Sequence, residues 1–408
     1  MILVFGLIGS NMIKKILIIT DDFIHNSQKA SAVLIKELAI AIDKSSSYKS
    51  IVIAPDIESN FIKRFKTESI DTITFPSGKL KNTNLFRRVF NEYKLSIGVK
   101  RCYSLIDLED VSGVVYYSPS IFFGEAVRFL KQKFQCSSYL ILRDLFPQWL
   151  VDVGLIKNHG PAHLILKYFE RSSLSNADRI GVMSNGNLNL FSNRSDFNKF
   201  EVLPNWQNPK RFNKNTKSLK KHGLENLKDK FVFFYGGNIG LAQGVDYLLN
   251  LANLLLTEKN IHFLFVGQGD AIDLITQRNL PNTSYIESLK QNDYFELVSN
   301  FDVGIFSLHK NHTAHNFPGK LYGYMSMSKP VIGIVNEGND AKELINDADA
   351  GLICYHNEGY NKLISHCKKL SKDLIFQKKQ GKNSLNIVMG FTPDVAAEQI
   401  LSYFNNKL

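Results

Sequence analysis

Short apolar runs rich in β-branched and aromatic residues alternate along the chain with longer amphipathic stretches of helical periodicity. In the first half, this pattern predicts strands at 15–20, 50–54, 113–117 and 139–142, and helices at 30–42 and 122–134. In the second half, it predicts a helix over 245–256 and strands at 231–235, 261–266, 303–307 and 330–335. Continuous apolar strands separated by helices are typical of buried parallel sheets. The sequence therefore predicts two doubly wound α/β units.

A change in composition marks the predicted boundary between the units. Residues 203–209 read Leu-Pro-Asn-Trp-Gln-Asn-Pro and precede a polar, lysine-rich stretch. We place an N-terminal domain at 12–207, a C-terminal domain at 208–390 and a final helical segment at 391–408. Residues 1–11 are apolar but too short to span a bilayer, and they lack the features of a signal peptide. We expect them to be an extension upstream of a start at Met12.

Composition and charge narrow the class of protein. The chain has 408 residues and is 44% apolar, which suits two domains with well-filled cores. Its net charge of +11 favours an acidic partner such as a nucleotide, an anionic lipid or a nucleic acid, without choosing among them. The four cysteines form no CxxC pair, which favours buried thiols in a reducing cytosol.

Two glycine-containing stretches carry the main sign of chemistry. Residues 235–244, Tyr-Gly-Gly-Asn-Ile-Gly-Leu-Ala-Gln-Gly, join a predicted strand to a predicted helix, where backbone N–H groups can meet phosphate oxygens. Residues 317–325, Phe-Pro-Gly-Lys-Leu-Tyr-Gly-Tyr-Met, put Lys320 in the first turn of a helix, where its charge adds to the positive end of the helix dipole. Either stretch alone is weak evidence. Together they predict two sides of one nucleotide-diphosphate site.

The order and spacing of several motifs resemble the retaining GT-B glycosyltransferases of family 4, and especially the bacterial N-acetyl-L-fucosamine transferases of O-antigen and capsule assembly. The resemblance covers nearly the whole chain from Met12. In the first half it rests on residues 143–147, 170–171, 176–180 with Ser184, and 203–206. In the second half it rests on residues 237–240, 242–243, 266–269, 318–320 and 329–332.

The resemblance implies two Rossmann-like domains facing across a cleft, with the sugar nucleotide on the C-terminal domain, the acceptor on the N-terminal domain and the last helix crossing back. A retaining transfer through an oxocarbenium-like state needs charge stabilisation of the leaving diphosphate, with no protein nucleophile. We assign this role to Lys320, to N–H groups near Gly319 and in 237–240, and to two neutral side chains as donors. The predicted nucleotide-binding residues are Gly237, Asn238, Gly240, Gln243, Gly267, Gly319, Lys320, Glu337 and Asp340.

The sequence departs from the family at two motif carboxylates eight positions apart, which are His315 and Gly323 in this chain. The second of these glutamates normally binds the ribose, and glycine cannot do so. We retain His315 as a catalytic candidate near the diphosphate. Glu337 is a candidate replacement for the ribose carboxylate, although a solvated loop charge is the simpler interpretation. Asp340 is a candidate sugar contact, but N-capping of a helix over 341–347 is favoured.

Asp144 is the third catalytic candidate. It follows an apolar strand, so we expect it at the cleft, where it would orient the acceptor hydroxyl or the donor sugar. A helix N-cap or an ion pair with Arg143 explains it equally well. His309, His312 and His315 lie in a polar loop without a cysteine or glutamate to complete a zinc site. We expect no metal and no cofactor apart from the UDP-sugar substrate.

One predicted helix bears on the partner. Residues 85, 86, 89, 90, 93 and 97 are apolar and share one helical face, with basic residues outside that arc. Such a helix either packs on its sheet or lies on anionic lipid. The resemblance favours lipid, because it implies an undecaprenyl-diphosphate-linked glycan acceptor and a peripheral position at the cytoplasmic surface of the inner membrane. We expect no nucleic-acid partner.

Three functions follow from the sequence. The first is transfer of a deoxy amino sugar from a UDP-sugar to a lipid-linked glycan. The second is a catalytically degraded GT-B partner subunit, which His315 and Gly323 motivate. The third is a sugar-nucleotide epimerase, which would turn over the donor without an acceptor. A nicotinamide dehydrogenase is disfavoured, because Gly267-Gln-Gly269 lacks the third glycine of that fingerprint.

Overall fold

The computed structural model describes residues 13–27, 29–78, 85–107, 110–144, 146–152, 154, 156–210, 212–311 and 317–406. Of residues 85–89, 149, 152 and 291 it describes the backbone alone. The predicted upstream extension at residues 1–11 lies outside this part of the chain.

The first domain is built on a sheet of eight strands within the described residues, in the order β3-β4-β2-β1-β5-β6-β7-β8. Neighbouring strands are parallel except for the edge pair β3 and β4. The strands are β1 (Lys14–Ile19), β2 (Tyr48–Asp56), β3 (Lys63–Thr67), β4 (Ile70–Pro76), β5 (Val111–Tyr117), β6 (Ser137–Ile141), β7 (Arg179–Val182) and β8 (Phe200–Val202). The edge strand β3 has the sequence Lys-Arg-Phe-Lys-Thr, whose charges discourage pairing with another chain.

The second domain has six parallel strands among the described residues, in the order β11-β10-β9-β12-β13-β14. They are β9 (Phe231–Asn238), β10 (Ile261–Gln268), β11 (Thr283–Ile286), β12 (Val303–Ser307), β13 (Val331–Val335) and β14 (Gly351–Tyr355). Every predicted strand is present, and the prediction of two α/β units is confirmed. The hairpin of β3 and β4 was not predicted, because its charged outer strand lacks an apolar run.

Helices cover both faces of each sheet. In the first domain they are α1 (Ala30–Asp43), α2 (Leu85–Cys102), α3 (Gly124–Phe134), α4 (Gln148–Asp152), α5 (Pro161–Asn176) and α6 (Asn185–Asn189). In the second they are α7 (Thr216–Lys221), α8 (Val245–Leu254), α9 (Ile272–Arg278), α10 (Gln291–Ser299), α11 (Gly319–Ser326), α12 (Ala341–Asp347), α13 (Asn361–Lys372) and α14 (Leu374–Met389). None of the helices in the described ranges has the length and apolar character needed to cross a membrane.

The last helix, α15 (Pro393–Asn405), packs against the first domain. Its apolar side chains Ala396, Ala397, Ile400 and Phe404 share a core with residues of α1 and of the first sheet. Phe404 lies over Gly113 of β5, where an added Cβ would be 2.4 Å from the ring. The last helix therefore belongs structurally to the first domain.

The segment between the domains is anchored rather than loose. Leu203 and Trp206 are buried, and the Trp206 indole donates to the carbonyl of Leu34 at 3.0 Å. On the other side, the backbone N–H of Gln207 donates to the carbonyl of Phe391 at 2.9 Å. The segment thus contacts both domains and limits how they can move relative to each other.

Candidate active site

The loops at the carboxyl ends of β9, β10, β12 and β13 meet at one edge of the second sheet, where ligands bind in open α/β folds. The neighbouring strands β9 and β10 carry glycines in register, since Gly237 of β9 pairs with Gly267 of β10. A Cβ at position 267 would lie 1.8 Å from the carbonyl oxygen of Gly237, and a Cβ at position 269 would lie 2.1 Å from that of Ile239. Only glycine allows the two loops to approach this closely.

The structure revises the role expected of the β9 loop. The backbone N–H groups of Ile239, Gly240 and Leu241 already donate within the protein. Their acceptors are the carbonyl of Gln268 at 2.9 Å, Oε1 of Gln243 at 3.1 Å and Oδ1 of Asp270 at 2.9 Å. The expectation that the N–H groups of 237–240 would be open to phosphate therefore fails at positions 239 and 240, because neighbouring side-chain and backbone oxygens occupy them.

Asn238 and Gln243 lie together, but they bind each other. The Asn238 amide donates to Oε1 of Gln243 at 2.8 Å, and the same oxygen accepts from Gly240. The two side chains thus fix the shape of the loop. Their predicted role as donors to a ligand stays a prediction, for which the Gln243 amide nitrogen is the better placed because it makes no hydrogen bond with any described residue.

Lys320 stands at the start of α11, opposite this loop. Its Nζ lies 3.4 Å from the carbonyl oxygen of Asn238 and 3.5 Å from the centre of the Tyr235 ring. Within the described ranges it forms no ion pair with a carboxylate. Burial holds the pKa of Lys320 well below its usual range. A cation without a counterion, partly stripped of water, is set to bind an anion.

Tyr235 was not predicted as a site residue, yet it positions Lys320. Its ring is buried beneath the ammonium, and its hydroxyl donates to the carbonyl of Asn238 at 2.6 Å. That carbonyl is also the one that Lys320 approaches. The sequence offered one sign of this role, since an aromatic residue stands directly before two glycines at the end of the predicted strand 231–235.

The face of α11 that begins at Lys320 has room beside it. The helix starts after Pro318 without a side-chain cap among the described residues. Gly319 and Gly323 lie one turn apart, and no atom of a described residue falls within 4 Å of a Cβ added at either. The first-turn N–H groups of a helix have no intrahelical acceptor, so an anion here would meet both these groups and the lysine.

Two further predicted residues lie on the loop between β13 and α12, and the structure separates them. Glu337 is exposed and accepts a hydrogen bond from the Asn357 amide. Asp340 stands at the N-cap position of α12, but contrary to the favoured interpretation its side chain makes no cap bond, and the Asn339 side chain accepts from the Ala341 N–H at 3.1 Å instead. Asp340 instead crosses to the first domain, where its Oδ2 accepts from the Gly186 N–H at 2.6 Å.

On the first domain, Asp144 follows β6 at the carboxyl edge of the sheet. It borders a small cavity that Ser118, Phe146 and Glu170 also line. The alternative interpretation of Asp144 as an ion-pair partner of Arg143 is disfavoured, because that guanidinium is engaged by backbone oxygens. The Arg143 guanidinium is buried and donates to the carbonyls of Leu142, Gly181 and Pro204.

Other carboxylates share this edge with Asp144. Asp21 and Asp22 follow β1 and, like Asp144, influence Tyr117 at the end of β5. Burial raises the pKa of Tyr117 well above its usual range, and these three carboxylates add to that shift. Three carboxylates thus lie near Tyr117, while the buried Arg143 guanidinium acts on the pKa of Tyr117 in the opposite direction.

His312 and the catalytic candidate His315 lie outside the described residues. His309 lies within them, and its backbone N–H donates to the carbonyl of Ala242 at 3.0 Å. No group of three His, Cys, Asp or Glu side chains that could hold a metal ion occurs in the part of the chain that the structure describes.

Most of the second domain matches a known protein family. Residues 230–373 match the family described as "Glycosyl transferases group 1". The chain is 25% identical over 225 residues to "Probable glycosyltransferase WbjE" of Pseudomonas aeruginosa, covering 54% of this chain and 56% of that protein. It is 28% identical over 166 residues to "Putative colanic acid biosynthesis glycosyl transferase WcaI" of Escherichia coli K12, covering 39% and 40%. The chain thus spans about half the length of these curated relatives.

Solved structures resemble the chain over nearly its whole length. Sucrose-phosphate synthase of Thermosynechococcus elongatus aligns with a TM-score of 0.71 at 16% identity, covering 96% of this chain and 98% of that one. WaaG, a glycosyltransferase involved in lipopolysaccharide biosynthesis, aligns with a TM-score of 0.65 at 13% identity, covering 94% and 99%. At such identities the likeness shows the fold, and the predicted GT-B fold is confirmed. Residues 230–373 thus match the group 1 glycosyltransferases, within a chain that has the GT-B fold.

Proposed function

We propose that the chain is a retaining glycosyltransferase that moves a sugar from a UDP-sugar to a lipid-linked glycan during O-antigen or capsule assembly. The donor sugar is N-acetyl-L-fucosamine or a similar deoxy amino sugar. The observation that carries the proposal is Lys320, a cation with no carboxylate partner among the described residues, at the uncapped start of α11. In this role it stabilises the charge that develops on the leaving diphosphate.

The assignment of the nucleotide to UDP draws on structural neighbours. HepE of Anabaena was crystallised in complex with UDP, and its structure aligns with a TM-score of 0.66 at 13% identity over 96% of this chain. The assignment of the pathway draws on the curated relative that is named for colanic acid biosynthesis. The fucosamine and retaining assignments rest on the motif resemblance. In the proposal, the acidic wall around Asp144 receives the acceptor hydroxyl, and the protein works from the cytoplasmic surface of the inner membrane.

In the proposal, the two domains play different roles because opposite charges face the cleft from each. Lys320 holds the diphosphate, and Asp144 orients the acceptor. On this assignment the leaving phosphate itself takes the acceptor proton, so no protein nucleophile is required. Closure of the two domains excludes water, which would otherwise hydrolyse the donor.

The direct test is release of UDP from a panel of UDP-sugars, including UDP-N-acetyl-L-fucosamine, with and without membrane lipids that carry undecaprenyl-diphosphate glycans. The proposal predicts that one donor yields UDP only when the acceptor is present, and that the product keeps the anomeric configuration of the donor. UDP release from no donor would contradict it. Conversion of a donor without an acceptor would identify an epimerase instead.

A second candidate, a binding subunit without catalysis, is favoured by two observations in the same site. Gly323 stands where the family carries a ribose-binding carboxylate, and Asp270 occupies the Leu241 N–H that a phosphate would need. Such a subunit would bind no nucleotide, whereas the transferase must bind UDP.

A further inference from the structure

The helix α2 turns apolar side chains toward solvent. Phe90, Tyr93 and Ile97, spaced three and four residues apart, are 56%, 48% and 41% exposed. The helix packs on the core of its domain through a different set of side chains, which includes Leu95 and Val99. Packing on the sheet therefore does not account for these three residues of the apolar stripe found in the sequence.

A second helix shows the same arrangement. On α5, Leu164, Ile165 and Tyr168 are 57%, 55% and 61% exposed. The inward side of this helix is formed by residues such as Leu166 and Leu174, which are each 4% exposed. Nothing in the sequence pattern had singled out α5.

The two stripes lie side by side. The ring of Tyr93 on α2 lies 5.9 Å from that of Phe169 on α5, and Phe169 in turn lies 5.4 Å from Tyr168. We call this surface the α2–α5 face. It comprises Phe90, Tyr93, Ile97, Leu164, Ile165 and Tyr168. Contiguous exposed apolar surface of this kind marks an interaction site.

The charges on the two helices indicate which kind of partner the α2–α5 face binds. Their sequences carry seven basic and two acidic side chains. Lys94 lies on the exposed side of α2, with its Nζ 4.2 Å from the centre of the Phe90 ring, and Arg171 is exposed on α5. Of the two acids, Glu170 is already paired with Lys167 at 2.7 Å. Aromatic and aliphatic side chains among basic ones fit the boundary of an anionic bilayer, to which the excess of positive charge is complementary.

We propose that the α2–α5 face docks the protein on an anionic lipid bilayer, with Leu164, Ile165 and Tyr168 entering the headgroup boundary beside the stripe of α2. The inference deepens the proposed function, since it names the surface by which the chain would reach a lipid-linked acceptor. Its physical basis, apolar area plus positive charge, is independent of the sugar.

The test is sedimentation of the full chain with vesicles of phosphatidylcholine alone or mixed with phosphatidylglycerol. We expect binding to the mixed vesicles that weakens with salt. The double variant Leu164→Ser with Tyr168→Ser should lose at least about tenfold in binding. The matched control is Ile375→Ser on α14, a position that is 83% exposed in the other domain, and it should bind as wild type does.

Absence of binding to anionic vesicles, or undiminished binding by the double variant, would overturn the inference. UDP affinity measured on the same proteins separates this outcome from failure of the proposed function. The double variant should keep wild-type UDP affinity, because its positions lie on the other domain. If the double variant loses vesicle binding but keeps UDP binding, the α2–α5 face binds lipid independently of the nucleotide site.

A separate observation concerns closure of the cleft. Asp340 belongs to the second domain, yet its Oδ2 accepts a hydrogen bond of 2.6 Å from the Gly186 N–H of α6 in the first. A Cβ at position 186 would lie 2.7 Å from Oδ1 of Asp340, so only glycine admits the carboxylate. Oδ1 itself is buried and makes no hydrogen bond with any described residue. A carboxylate at the first turn of a helix is favourably placed.

We infer that Asp340 latches the two domains together. Gly186→Ala leaves the carboxylate in place but blocks its approach, although alanine would otherwise favour the helix. The control Gly390→Ala changes a glycine at φ −80°, whose added Cβ has 3.4 Å to the nearest atom. Asp340→Asn removes the negative charge but keeps an amide oxygen that can accept from the Gly186 N–H, so it separates the hydrogen bond from the charge.

The measurements are the radius of gyration from small-angle X-ray scattering and hydrogen exchange of the peptide covering 184–190. We expect Gly186→Ala and Asp340→Ala to enlarge the radius and to speed exchange, while Asp340→Asn and Gly390→Ala stay close to wild type. A folded Gly186→Ala protein with wild-type radius and exchange would show that the contact does not hold the domains together.

Discussion

The two walls of the cleft differ in charge and in construction. On the second domain, glycine loops packed backbone to backbone surround Lys320, a single cation without a carboxylate partner in the described part of the chain. On the first domain, Asp21, Asp22 and Asp144 gather around Tyr117 at the carboxyl edge of the sheet. In the proposed function, Lys320 on the second domain attracts an anionic diphosphate, and the carboxylates on the first domain disfavour it. On this proposal the difference orients a sugar nucleotide, with its phosphates toward the second domain and its sugar toward the first.

The largest expected effect comes from removing the cation. Lys320→Ala should abolish transfer and weaken UDP binding about a hundredfold, because charge-assisted contacts to a diphosphate are lost. The matched control is Lys342→Ala, another lysine over a tyrosine ring, at 3.9 Å from the centre of Tyr355, which Glu358 already neutralises at 2.6 Å. Transfer rates and UDP titrations of both variants check the prediction. Equal loss of UDP affinity in both variants would mean that Lys320 does not bind the diphosphate directly.

A change on the opposite wall should separate chemistry from nucleotide binding. Asp144→Asn should lower acceptor-dependent transfer about a hundredfold, the scale of a lost orienting carboxylate, while UDP affinity stays within about twofold. Steady-state rates at varied acceptor concentration, combined with UDP titration, make the check. A parallel loss of UDP affinity would show that Asp144 contributes to nucleotide binding as well as to transfer.

Tyr235 allows the support of the cation to be tested apart from the cation itself. Tyr235→Leu removes the ring beneath Nζ and should weaken UDP binding about tenfold, the upper range for a desolvated cation–π contact. Tyr235→Phe keeps the ring but loses the hydroxyl bond to the Asn238 carbonyl, so it should lie between wild type and Tyr235→Leu. If both variants bind UDP as wild type does, Lys320 needs no support from this ring.

The smallest effect is a coupling of binding to pH. Burial lowers the pKa of Lys320 in the free protein, and a bound diphosphate would raise it by favouring the charged form. Between these two pKa values binding takes up a proton, so UDP affinity falls as pH rises through that window, by at most about tenfold per unit. Below the pKa of the free protein the coupling disappears.

Proton uptake is measured by titrating UDP in two buffers of different ionisation enthalpy, at pH values where the nucleotide is fully ionised. The observed enthalpies should differ within the window and agree below it. Equal enthalpies throughout would mean that Lys320 is already charged in the empty protein.

The two walls also differ in how far the sequence predicted them. The strands and helices followed from the alternation of apolar and amphipathic runs. Lys320, Gly237 and Gly267 stood out because short motifs place them at the ends of strands or at the start of a helix. The cleft residues of the first domain come from separated loops, and Asp144 alone was recognised there.

What the sequence could not show were contacts between distant residues. Asp270 binds the Leu241 N–H across 29 positions, and Asp340 reaches Gly186 across 154. Helical periodicity identified an apolar stripe on α2, but periodicity does not say whether a stripe faces the core or the solvent. Tyr235 was hidden because a buried aromatic residue in a strand is ordinarily part of the core.

The central claim, that Lys320 holds the diphosphate of a uridine nucleotide, is tested most directly by calorimetric titration with UDP, GDP and ADP. Wild type and the Lys320→Ala and Lys342→Ala variants would be compared at the same pH and salt. The account predicts selective UDP binding by wild type and Lys342→Ala, and its loss in Lys320→Ala. Binding of no nucleotide by the folded wild-type protein, or UDP binding unchanged in Lys320→Ala, would contradict it.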